Sequence, residues 1–397
     1  MIENVLLVLL VVLVVAKLMG GLFQKIGLDS SIGELLTGVI LGSYLLNLVD
    51  AEKIEPFALL GSILILFIAG LKQSDIQEML EEKKAFHIGI TLLFVTSILM
   101  SLLFYYVLRY FGIEFSIVQA IVLGIAFAII DIGVPAKVFI SNGLINLPIG
   151  KLIIRSAIIN IILGLFLFTI VTIFFKPSFF DILTKIVGIL LFVGIIIGLI
   201  YFLTKISQFV MKLHIEEAEL SLSLILVLAL AYLSDKIGFS SVLGAFIAGV
   251  LIAKMPFSET TTFSQKIKSI SFGLFIPLFF VWFGLEIDVN YIIQNILLIF
   301  LIFVSYTAIR FFLMYLFMKK YKIKTIGVVS SSMLSIDVES LVILLVAKQL
   351  GIFTDEIPLS LFAPSVLLST LVIVILVAVF SKKELKNKKR LISINES

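Results

Sequence analysis

The chain has 397 residues, 61% hydrophobic and 14% charged, with 36 Phe, no Cys and a formal net charge of +4. Soluble domains are under half apolar and about a quarter charged, so nearly all of this chain belongs in a bilayer, and soluble enzymes, binding modules and nucleic-acid partners are excluded. Without Cys there are no disulfides, thiolate nucleophiles, Fe–S clusters or Cys-ligated zinc; His87 and His214 alone are too few for a histidine metal site, so no cofactor and no resident metal is expected.

A helix crosses about 30 Å of hydrocarbon in about 20 residues. Thirteen apolar stretches of roughly that kind follow in order: 4–23, 31–48, 56–71, 85–110, 116–140, 149–175, 182–206, 220–233, 239–253, 270–285, 291–318, 326–350 and 358–380. They lack the two-residue alternation of a membrane barrel, so the fold class is an all-α membrane protein. Residues 1–381 form one transmembrane domain, and 382–397 a short basic tail. The first span lacks a basic leader and cleavage site, follows Glu3, and is expected to be retained.

Thirteen spans put the termini on opposite sides. The side of the C-terminus carries 20 Lys and Arg and the other side six, and Lys17, Lys137, Arg155 and Arg310 lie within or at the ends of spans. The bias orients a multi-pass cell-membrane protein with its N-terminus outside and its C-terminus in the cytoplasm.

The halves resemble each other. IGELLTGVILG from Ile32 parallels LGAFIAGVLIA from Leu243, so that Gly33 and Gly38 match Gly244 and Gly249 at a common offset of 211; Gly70-Leu71 matches Gly284-Leu285 at 214. Small residues are also ordinary packing devices in membrane helices. Taken as a repeat, spans one to six (about 4–175) and eight to thirteen (about 220–380) are related, with 182–206 as a linker helix. A shift of seven spans inverts the second copy, the arrangement common in transporters.

Ionisable groups inside a bilayer cost about 2.5–3.5 kcal/mol on insertion scales and mark function or pairing. Span five holds Asp131, with Gly133 and Pro135 just beyond it to break the helix and free carbonyls. This is a candidate cation site, or Asp131 pairs with Arg155, Arg310 or Lys137. Span six carries Arg155, Ser156 and Asn160; the last two are four apart on one face, as cation ligands or as hydrogen-bonding glue between helices. Span eleven holds Arg310. In span twelve, Ser332, Ser335 and Glu339 share a face at spacings of three and four, whereas Asp337 points elsewhere unless the helix unwinds there; Asp337 matches Asp131 at offset 206. Two interrupted spans at matching positions point to a transport site. Arg155 and Arg310 are expected to neutralise two of the acids Asp131, Asp337 and Glu339. Glu34 reads as a cap or interfacial residue, and Glu216, Glu217 and Glu219 as a solvated run beside His214.

Four segments together, AKLMGGLFQKIGLDSSIGELLTGVILG from Ala16, LILFIAGL from Leu64, SDKIGFSSVLGAFIAGVLIAK from Ser234 and LFIPLFFVWFGLEID from Leu274, resemble the cation/proton antiporter superfamily over essentially the full chain. The resemblance implies about thirteen helices in two inverted repeats, a homodimer made through a scaffold domain, and a mobile core in which two broken helices, here spans five and twelve, cross. The family's Thr-Asp corresponds to Ile130-Asp131, its Asp-Asp or Asn-Asp to Asn160-Ile161, its basic residue in span eleven to Arg310, and its Arg-Gly-Glu to Asp337-Val338-Glu339. The second ion-binding acid is missing, and Arg155 suggests an ion pair of reversed polarity.

A carboxylate in low dielectric binds a proton more readily, and a bound cation displaces that proton. The expected function is therefore exchange of a monovalent cation, Na⁺ or K⁺, for H⁺ by alternating access. It is electroneutral, with Asp131 as the shared site, Ser156 and Asn160 as oxygen donors, and Arg155, Arg310, Asp337 and Glu339 as a core ion-pair network. The alternatives are a divergent transporter or channel-like protein for another solute, or a non-transporting membrane sensor or scaffold that lost the acid. No nucleophile or base constellation suggests an enzyme.

Overall fold

The structure, a computed structural model, describes residues 4–25, 30–71, 82–130, 147–173, 217–236, 241–323, 326–336 and 338–366, with shorter stretches between 187 and 205 and between 368 and 380. Among these residues every regular element is helical, apart from one isolated β-bridge. Among the described residues six helices are long and apolar enough to cross a membrane by themselves.

Two compact units divide the chain. The first comprises Met1–Ile76, Phe168–Ile287 and Leu345–Ile352. Its helices are α1 (Val5–Lys25), α2 (Ser30–Leu41) and α3 (Glu55–Leu71). Later in the chain come α7 (Ala218–Lys236), α8 (Ser241–Ala253), α9 (Thr261–Ile270) and α10 (Ile276–Leu285), the last two joined through a π-helical turn, Ser271–Phe275. Membrane helices associate by close packing rather than by apolar transfer, and the matched glycines provide it. A Cβ on Gly38 would overlap the Val281 carbonyl and press on Gly284, and one on Gly249 would overlap the Phe67 carbonyl and press on Gly70. Gly33 likewise lies on the α1 backbone at Met19, and Gly244 on the α7 backbone at Leu230. Residues paired by sequence offset thus occupy equivalent places in the packing: α2 on α10 repeats as α8 on α3, and α1 on α2 repeats as α7 on α8. Around the first of these contacts Val8, Val12 and Ala16, spaced four apart, pack on Leu278, Val281 and Leu285.

The polar groups of this unit depart from the sequence expectation at one point. Glu34 does not cap α2: it lies within the helix, 4% exposed, with Lys17 Nζ 3.5 Å from its carboxylate. The same ammonium donates to the Phe272 carbonyl at 2.6 Å, in the π-helical turn where backbone acceptors lose their regular partners. The exposed Glu217 pairs with Lys266 at 2.7 Å.

The second unit comprises Gln77–Leu167, Asp288–Leu344 and Phe353–Ser397. It contains α4 (Lys83–Leu102), extended by a π turn and a 3₁₀ turn to Phe111, α5 (Ile117–Ala128) and most of α6 (Pro148–Ile173). A short α11 (Val289–Gln294) leads into α12 (Ile296–Lys320), followed by α13 (Ile326–Ser332), the start of α14 (Val338–Gln349) and α15 (Ile357–Val366). Ile88, Leu92, Ile153, Ala157, Met314 and Val329 form part of its apolar cluster.

Span five starts sharply. The Ser116 hydroxyl accepts from the Gln119 N–H while the Gln119 side chain accepts from the Ser116 N–H, a reciprocal capping box. Its first helix closes at Ala128, where Ile129 turns to extended backbone (ψ 139°); residues 131–146 lie outside the described residues. Span twelve is likewise two helices rather than one. The Ser331 and Ser332 hydroxyls donate back to the Gly327 and Val329 carbonyls, competition that weakens a helix, and α13 ends at Ser332. Ser335 lies beyond that end, so the continuous face joining Ser332, Ser335 and Glu339 does not form.

Candidate functional site

The two helix ends meet in the second unit. Ile130 and Ile336 form an antiparallel bridge; they are the residues immediately before Asp131 and Asp337, and they obey the same offset of 206. Both are buried, so the backbone groups freed by the two breaks need partners within the protein.

Asn160 supplies some of them. Fully buried on α6, its Oδ1 accepts from the Ile130 N–H at 3.0 Å, and its Nδ2 donates to the Ala128 carbonyl at 3.2 Å and, less closely, to the Gly89 carbonyl at 3.4 Å. Gly89 allows this approach: a Cβ there would lie 2.6 Å from the Ser156 carbonyl. One amide therefore satisfies a donor and an acceptor around the break in span five.

Arg310 supplies others. Fully buried on α12, its guanidinium donates to the Ala128 carbonyl, to the Ser335 carbonyl at 3.0 Å and to the Tyr306 hydroxyl at 2.6 Å, and that hydroxyl donates onward to the Leu334 carbonyl at 2.7 Å. Ala128 closes α5, and Leu334 and Ser335 follow α13, so one fixed cation faces the carbonyl ends of both half-helices. Those ends carry partial negative charge, which a planar, five-donor fork suits better than an ammonium. Phe127 packs on Tyr306 and on Phe362, with centroids 5.6 and 4.8 Å apart, and walls the pair off.

The remaining candidates are more dispersed. The buried Ser156 hydroxyl donates to Leu152 of its own helix at 2.7 Å and keeps its lone pairs. Arg155, half-buried, pairs with Glu82 at 2.7 Å, a carboxylate that sequence spacing did not suggest. Asp131, Gly133, Pro135 and Asp337 lie outside the described residues; Glu339 lies in helical backbone within α14. Ile161, where an acid is expected by resemblance, is 2% exposed. Among the described residues the crossing is assembled without a carboxylate. Sequence reasoning also missed two partners: Tyr306, one helical turn from Arg310, and, in the first unit, Lys348, whose ammonium pairs with buried Glu286 and lies 5.7 Å from the Trp282 ring centroid. A spacing of four was the only signal for Tyr306; nothing local announces a partner 62 residues away.

Backbone broken within apolar spans and rebuilt by buried side chains is a device of secondary transporters, and with the matched glycine packing it defines the antiporter fold class. The chain belongs to the sodium/hydrogen exchanger transmembrane family, whose model matches residues 10–383. It is 27% identical to a Na⁺/H⁺ antiporter of Enterococcus hirae, over 96% of this chain and 99% of that one. It is also 27% identical to GerT, a probable Na⁺/H⁺ antiporter of Bacillus cereus, over 70% and 73%. Two structures of the sodium proton antiporter MjNhaP1 of Methanocaldococcus jannaschii share the fold. One, at pH 8, has a TM-score of 0.61 at 17% identity and 95% coverage of both chains; the other, from electron microscopy, has 0.63 at 16%, covering 96% of this chain and 97% of that one.

Proposed function

We propose that the protein exchanges a monovalent cation, Na⁺ or K⁺, for a proton by alternating access, with Asp131 as the group that holds one or the other. The observation that carries this reading is the bond from the Ile130 N–H to Asn160: the crossing is anchored at the residue directly before the acid. Arg310 contributes a permanent charge and does not exchange; it compensates the helix ends. Ser156 and Asn160 retain oxygen lone pairs for a cation. One exchangeable carboxylate moves one ion for one proton, so the cycle is electroneutral. The proposal includes a homodimer in the cell membrane with its N-terminus outside and its C-terminus in the cytoplasm.

Everted membrane vesicles loaded with a pH-sensitive dye test it. Adding Na⁺ or K⁺ to respiring vesicles is expected to dissipate the pH gradient, with no effect in Asp131→Asn. Exchange that survives Asp131→Asn refutes the single-acid mechanism. Ile161, apolar and buried where the family pattern has an acid, favours a second reading, a carrier of another solute or a non-transporting scaffold; silence of wild-type vesicles toward both cations selects it.

A further inference from the structure

We infer that the second unit carries a binding site for anionic phospholipid headgroups, built around Tyr321 where α4 and α12 come together. Two ammonium groups converge on that one ring from different helices: Lys84 at 5.6 Å and Lys320 at 5.8 Å from the centroid, both within cation–π range. Phe317 stacks nearly parallel to Tyr321, with centroids 6.3 Å apart, and His87 meets Phe317 edge-on at 5.4 Å, giving the ring a rigid aromatic backing.

The surroundings add positive charge. Lys83, Lys151, Lys319 and Lys322 are exposed, and each lies within a few residues of Ala85, Leu152 or Met318, members of one apolar cluster, so their helix ends converge. None of these lysines is paired with an acid among the described residues. Glu82 is engaged by Arg155. Phe380 packs against the same cluster.

This grouping is electrostatically unfavourable by itself. Lys83 and Lys84 open α4 without an acidic residue in its first turn and with no side-chain cap from Glu82, at the helix end where cations are disfavoured. Lys320 brings a second ammonium to the same ring, 5.8 Å from its centroid, with no described acid beside it. An anionic phosphodiester bound beside the ring offsets this uncompensated charge. Lipid is favoured as its source because the aromatic and lysine pair closes a spanning helix, where rings and basic side chains meet the headgroup layer. Each lysine near an anionic membrane surface is worth about a five-fold preference, so the pair confers roughly 25-fold.

Native mass spectrometry of the detergent-solubilised protein, given equimolar dioleoyl-phosphatidylglycerol and dioleoyl-phosphatidylcholine, tests this independently of transport. The wild type is expected to retain phosphatidylglycerol first. Lys84→Gln and Lys320→Gln should each lower that preference about five-fold and the double variant roughly 25-fold, with Tyr321→Leu lowering it too and Lys268→Gln, in the first unit, leaving it unchanged. All the lysines are exposed, so the variants fold; monodisperse elution checks it. Three results overturn the inference: undiminished preference in the double variant, an equal loss in Lys268→Gln, or displacement of the lipid by inorganic phosphate at the same concentration, which would make this a free-phosphate site.

Discussion

Replacing Asn160 by Ala removes the amide that satisfies the break in span five. The Ile130 N–H then loses its 3.0 Å acceptor in a fully buried position, at a cost of about 1–3 kcal/mol for an orphaned donor. The Ala128 carbonyl keeps Arg310, so losing the 3.2 Å bond costs only the net value of one hydrogen bond, about 1 kcal/mol; the 3.4 Å contact to Gly89 adds little. The total is about 2–4 kcal/mol. At about 2 °C per kcal/mol for a chain of this size, the melting temperature in detergent should fall by about 4–8 °C. Ser156→Ala is the internal control, being one turn away on the same face and equally buried, but bonded among the described residues only within its own helix; it should cost about 1 kcal/mol or less. Equal destabilisation by the two variants, or no change in Asn160→Ala, refutes the assignment of Asn160 as the anchor of the crossing.

Other consequences follow from the same geometry. Gly38→Ala and Gly249→Ala, at equivalent contacts of the two repeats, should each destabilise by about 1–3 kcal/mol through overpacking against backbone, whereas Gly21→Ala, with open space around it, should be neutral or slightly stabilising in the same melting assay. Lys348→Met removes the ammonium facing buried Glu286 and should cost about 2–3 kcal/mol, less than the figure for a fully buried pair because Lys348 is partly exposed; adding Glu286→Gln should recover part of that loss, and additive effects would contradict the coupling. Tyr291, in α11 ahead of the spanning helix, is pushed up to about 12 by burial, then by the charges of Asp355 and Asp288. A raised phenol supports the native state below the ordinary Tyr value of about 10 and loses that support as pH climbs toward 12, so Tyr291→Phe should flatten the alkaline decline of melting temperature.

Composition and span length determined the membrane class and the helical fold, because a bilayer admits few other solutions for an apolar chain. The glycine pairs at offsets 211 and 214 were legible for a similar reason: close backbone approach leaves only glycine, and a repeat records it twice. The two breaks were legible in outline from Gly133, Pro135 and the offset of 206, although the helix in span five ends before the glycine rather than at it.

Partner choice was decided by tertiary structure alone. Asn160 stands in sequence as an oxygen donor with two roles, and only the fold brings it to the Ile130 N–H. Arg310 was expected beside an acid, a pairing whose candidate acids lie outside the described side chains; among the described residues it meets the carbonyl ends of two half-helices, whose charge arises from aligned peptide dipoles. Glu34, Glu82 and Glu286 each acquired a basic partner 17, 73 and 62 residues away. Periodicity reports which face a residue lies on; which helix that face meets depends on packing across the whole chain, and in this protein the packing sets where every described buried charge is neutralised.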